Sequence, residues 1–145
     1  MAISSRFPVG VHILALLAQS PDRPVTSDYL AGSASTNPAV VRKLLQALGT
    51  ARLTRAQLGA GGGSLLARPA ETITLLDVYH AVDEGELFAL HHAPPNPACG
   101  TGRHILAALK GPMDRAEAAL EAELAATTIA DVVRDVLAGQ PACEA

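Results

Sequence analysis

Between Leu58 and Pro69 the chain reads LGAGGGSLLARP, with four glycines in five positions. So dense a run admits few structures. A phosphate-binding P-loop needs Gly, four residues and then Gly-Lys-Ser/Thr, but Gly59 leads to Ser64 with no lysine. The dinucleotide pattern G-x-G-x-x-G also fails, because Ser64 stands where the last glycine belongs and strand-like sequence follows. A linker is excluded by the flanks, ARLTRAQ and SLLAR, which alternate like paired strands. What remains is a β-hairpin with strands of about four to six residues, its glycines supplying positive φ at the tip.

Three helices are expected ahead of this hairpin. Val9 to Gln19 is apolar nearly all round, as in a helix buried on several sides. Thr26 caps a short helix, TSDYLAGSA, with Asp28 in its first turn. The third is the clearest, STNPAVVRKLLQALG: Asn37 is a good N-cap and Pro38 suits the first helical position. Val41, Leu44, Leu45 and Leu48 make one buried face, Ala39, Arg42, Lys43 and Gln46 the opposite one, and Gly49 is expected to close the helix. Three helices followed by a glycine-tipped hairpin is the order of a winged helix-turn-helix, with the glycine run as the wing.

The rest of the chain is also helical. Thr74 and Asp77 form a capping box ahead of Leu75, Val78, Tyr79 and Val82, and DEGE ends that helix. Leu87 to Gly102 is a loop rich in His, Pro and Gly. A long helix is expected from about Arg103 to Ala126, kinked or restarted at Gly111-Pro112, with Ile105, Leu109, Met113, Ala116, Leu120 and Leu124 on one side. Thr128 and Asp131 then cap a last helix with Ile129, Val132, Val133 and Val136 as its stripe.

Charge indicates what such a molecule meets. Residues 1–70 carry seven Lys/Arg against two Asp/Glu, a balance of +5, whereas residues 71–145 carry four against twelve, a balance of −8. A basic front and an acidic back suit a protein that meets a polyanion with one face. Aromatic residues make up only 3% of the chain, which argues against base stacking on aromatic platforms. No apolar run reaches the roughly 18–20 residues of a membrane span, so no membrane partner is expected. Pro8 before the apolar stretch and QSPDRP after it do not fit a signal peptide. Two cysteines, Cys99 and Cys143, are too few for a disulfide framework, and a cytoplasmic protein with free thiols is expected. No Ser-His-Asp elbow, HExxH or paired-acid pattern points to an enzyme.

Five segments in order, TNPAVVRKLL, GAGGGSLLARP, ITLLDVYHAV, the PNPAC loop and AEAALEAELAATTIADV, resemble the Rrf2 family of bacterial winged-helix transcription regulators. That family includes iron–sulfur cluster, nitric-oxide and cysteine-metabolism regulators. The resemblance implies a mostly α fold with a two-stranded wing and a long C-terminal dimerisation helix. It divides the chain into a DNA-binding domain (1–86), a sensor-type loop (87–102) and dimerisation helices (103–145). It further implies a homodimeric repressor on double-stranded DNA, with the third helix in the major groove of a pseudo-palindromic operator. A winged-helix interaction module without DNA binding is the alternative.

On this chain the resemblance gives Asn37 a base edge or a phosphate, Val40 a thymine methyl, and Arg42 and Lys43 a guanine edge or phosphates. The wing, tipped by Gly61 and Gly62, reaches the flanking backbone or minor groove. Leu58 stands where the family often has a basic residue, and Ala60 where it often has proline or arginine, so Arg55 or Arg52 must supply charge there. Cluster-binding members use three cysteines in the loop before the long helix, and this chain has only Cys99 there. No iron–sulfur cluster, other metal or cofactor is therefore expected, although His91, His92 and His104 flank that cysteine. Cys99 is either an inert thiol or a redox switch with a pKa lowered by the helix start.

Overall fold

The computed structural model describes residues 4–82 and 87–139. Six helices and one two-stranded sheet occur among them: α1 (Arg6–Ala18), α2 (Ser27–Ala34), α3 (Pro38–Thr50), β1 (Thr54–Gln57), β2 (Gly63–Leu66), α4 (Leu75–Val82), α5 (Gly100–Ala125) and α6 (Ile129–Gly139). A single 3-10 turn, Ala70–Thr72, lies between β2 and α4. This is the mostly α winged helix-turn-helix expected from the sequence. The chain divides into two compact units, residues 1–83 with 124–145 and residues 84–123.

The core of the first unit centres on α1, whose Ile13, Leu14 and Leu17 are fully buried. They join Leu30 of α2, Val41, Leu44 and Leu48 of α3, Val78 and Val82 of α4, and Ile129 of α6. An all-round apolar helix is what such a central position requires. It begins at Arg6, three residues ahead of the stretch marked by hydropathy alone.

Side-chain caps set the starts of α2, α3, α4 and α6. The Tyr29 N–H donates to Thr26 Oγ1 at 3.2 Å and the Val40 N–H to Asn37 Oδ1 at 3.0 Å, with Pro38 opening α3. Thr74 and Asp77 bond reciprocally at 2.9 and 3.1 Å, and Thr128 and Asp131 repeat the pattern at the same distances. The Thr128 N–H, followed by its hydroxyl, holds the Asp131 carboxyl below its ordinary pKa. The two capping boxes meet through an antiparallel bridge, Thr74 with Thr128. There Leu75 N–H donates to Thr127 O at 2.9 Å and Ile129 N–H to Ile73 O at 2.8 Å. Ile73 and Ile129 are fully buried beside it. The last helix, grouped by the resemblance with the dimerisation segment, thus packs on the winged unit against α1 and the 3-10 turn.

Four local expectations need correction. Gly49 does not close α3, which runs to Thr50. Its stop is a Schellman motif: Leu53 N–H donates to Leu48 O, Arg52 N–H to Gly49 O, and Arg52 takes the left-handed φ of 61°. The buried Leu48 and Leu53 join the same core and favour this ending, and the first strand therefore begins only at Thr54. The long helix starts at Gly100 instead of Arg103, because the Cys99 carbonyl already accepts the Arg103 N–H at 2.9 Å. Of the kink or restart expected at Gly111-Pro112, the restart does not occur, since Pro112 lies inside one continuous helix of 26 residues. A proline removes one N–H from the ladder, and the helix continues through it to Ala125. The DEGE stop, residues 83–86, lies outside the described residues.

Candidate nucleic-acid interface

The amphipathic pattern of α3 divides it into an anchor and a free face. Val41, Leu44 and Leu48 are buried at helical spacing, while Ala39, Val40, Arg42, Lys43 and Gln46 are exposed. Asn37 and Val40 lie at the helix start. The Asn37 carbonyl oxygen is engaged in the cap, which leaves its amide group as the available donor. Arg42 and Lys43 follow one turn later.

Beside this face stands the hairpin. Thr54 pairs with Leu66, Arg55 with Leu65, Ala56 with Ser64 and Gln57 with Gly63. On its other edge Ser64 exchanges both backbone hydrogen bonds with Val25, at 2.9 and 3.0 Å, so β2 is tied near the wing tip to the segment before α2. At the tip Gly62 N–H donates to Gly59 O at 3.0 Å, and Gly61 takes φ of 75°, the conformation that a type II turn demands at its third position. Gly62 is needed for space: a Cβ there would run into the Gln57 carbonyl oxygen. An open cleft of about 330 Å³ lies between α3 and the hairpin and brings Arg42, Gln46 and Arg55 to one concavity.

Ion pairing leaves this surface cationic. Arg68 is committed to Asp77 at 2.8 Å. Lys43, Arg52 and Arg55 have no carboxylate partner among the described residues, and Arg42 has only an open contact, 3.9 Å to Asp28. Gln46 stands where periodicity put it, four residues after Arg42 on the same helix face. Sequence reasoning missed the meeting of Asp28 with Arg42, because only the packing of α2 on α3 brings the two together.

Cys99 belongs to the other unit. It is exposed, and the backbone N–H groups of Gly102 and then Thr101 lower its pKa by favouring the thiolate. His91, His92 and His104 are exposed. No helix among the described residues is long and apolar enough to cross a membrane.

Residues 3–135 match the Rrf2 family, described as an iron-dependent transcriptional regulator. The chain is similar to YwnA of Bacillus subtilis (strain 168), named as an HTH-type transcriptional regulator. The two are 41% identical over 132 residues, which cover 90% of this chain and 96% of YwnA. In fold it is similar to T. potens IscR, with TM-score 0.74 and 22% identity over 97% of this chain and 93% of that one. It is likewise similar to CymR, the global cysteine regulator of B. subtilis, with TM-score 0.67 and 21% identity over 92% and 97%. An iron–sulfur cluster does not fit the donors present. The whole sequence holds two cysteines, of which Cys143 lies outside the described residues. Among the described residues no group of three or more His, Cys, Asp or Glu is placed to hold a metal. One loop thiolate falls short of the set a cluster requires.

Proposed function

Because this chain belongs to the Rrf2 family of transcriptional regulators, we propose that it is a homodimeric, cluster-free repressor of the cytoplasm, reading a pseudo-palindromic operator with α3 in the major groove. The observation that carries this reading is the division of α3 into a buried leucine face and a free face bearing Arg42 and Lys43, next to a cationic cleft at the wing. Asn37, Val40, Arg42 and Lys43 contact bases and phosphates, while Arg55, Gly61 and Gly62 address the flanking backbone. Residues 1–86 form the DNA-binding part, 87–102 a sensor-type loop and 103–145 the dimerisation part. Support for the dimer comes from α5, which buries none of its residues within the chain and leaves Leu106 and Leu109 each 37% exposed. Two copies place two reading helices about one helical turn apart.

Selection from a pool of random duplexes tests this reading. An enriched sequence of two inverted half-sites, with centres about 10 base pairs apart, is the expected result. Leu58, 91% exposed on the wing where the family often has a basic residue, favours the rival reading of an interaction module without DNA binding. No enrichment would establish that rival.

The reading extends to a thiol response. Peroxide converts a Cys99 thiolate to the sulfenic acid with loss of hydroxide, and this removes the negative charge held by the start of α5. Peroxide should release the protein from the selected operator, and Cys99→Ser should abolish that release in the same gel-shift series. Release that persists in the serine variant assigns the effect elsewhere.

A further inference from the structure

Residues 1–70 contain only two carboxylates, Asp22 and Asp28, and one of them faces the proposed reading helix. Asp28 Oδ1 lies 3.9 Å from Arg42 Nη2, with the side chains 80% and 63% exposed. Asp28 is held on a separate element, in the first turn of α2 after the Thr26 cap. Two ordinary roles account poorly for it. A carboxylate favours a helix N-terminus, but that role requires no arginine opposite it, and an ion pair this open adds little to stability. The position also carries a penalty, because a negative charge beside a DNA-facing surface repels phosphates.

Resting on the reading that α3 meets DNA, we infer that Asp28 is a positioning residue for Arg42 and thereby sets sequence specificity. A guanidinium carries five N–H donors on more than one edge. It keeps one edge on Asp28 while another donates to O6 and N7 of a guanine, so the carboxylate orients the base contact. On DNA that offers only phosphates, a phosphate on Arg42 lies close to the Asp28 carboxylate and is repelled. Asp28 therefore penalises nonspecific binding more than operator binding.

The test is Asp28→Asn, titrated by fluorescence anisotropy against the selected duplex and a shuffled duplex of equal length. The ratio of the two affinities should fall about fivefold for each half-site, the size of one unit-charge interaction across about 4 Å in water, and so about twenty-fivefold for the dimer. The fall should come mainly from tighter binding to the shuffled duplex. In an Arg42→Ala background the same substitution should leave the ratio unchanged. An unchanged ratio for Asp28→Asn alone, or an equal fall in the Arg42→Ala background, overturns the positioning role. In either case an Arg42→Ala variant that still loses operator affinity keeps the α3 reading standing, whereas unchanged operator affinity in Arg42→Ala overturns both.

Discussion

Replacing Arg42 and Lys43 together by alanine should weaken operator binding at least about a hundredfold, since good base contacts contribute about 1–3 kcal/mol each and a dimer loses both residues twice. The dependence of affinity on salt should flatten as well, by about 0.9 in the logarithmic slope for each phosphate no longer neutralised. Anisotropy titrations at several salt concentrations read both quantities. The single variants should differ in kind. Arg42→Ala removes a guanine reader and relaxes preference at one position of each half-site, whereas Lys43→Ala removes a phosphate partner and weakens all duplexes alike. Both side chains are exposed, so the fold should survive, with stability within about 0.5 kcal/mol of the parent. Unchanged affinity in the double variant would show that α3 is not the reader.

Gly62→Ala should destabilise the protein by about 1–3 kcal/mol, because the new methyl meets the Gln57 backbone carbonyl, which has no flexible end to yield. The damage should begin at the wing, since β2 starts at the next residue and its pairing with β1 begins at Gln57 and Gly63. Gly59→Ala and Gly61→Ala are the informative controls: both positions have open space, so only their positive φ of 94° and 75° opposes a side chain, at about 1–2 kcal/mol. Thermal denaturation followed by circular dichroism separates the three. Equal stability of Gly62→Ala and the parent would show that the tip rearranges freely and that the close approach is not required.

These two sites are not equally visible in the sequence. Arg42 and Lys43 follow from periodicity, because buried positions at helical spacing leave the intervening ones on the free face. The wing glycines are visible as a turn, but not their separate duties: positive φ at Gly59 and Gly61, lack of room at Gly62. The end of α3 departs from expectation for a related reason. Glycine is the usual residue at a helix stop, yet here Arg52 takes the left-handed position, since the pairing of Leu48 with Leu53 in the core outweighs the local preference.

Local chemistry in the chain was enough to establish the capped starts of α2, α3, α4 and α6, the hairpin and the cationic side of α3, because caps, turns and periodicity act over a few neighbouring residues. Only the assembled core decided that α6 joins the winged unit through the Thr74–Thr128 bridge. It also brought Asp28 to Arg42, and Arg55 to the cleft that Arg42 lines. These are meetings of segments far apart along the chain, set by which apolar faces bury against which others, and no local pattern encodes them.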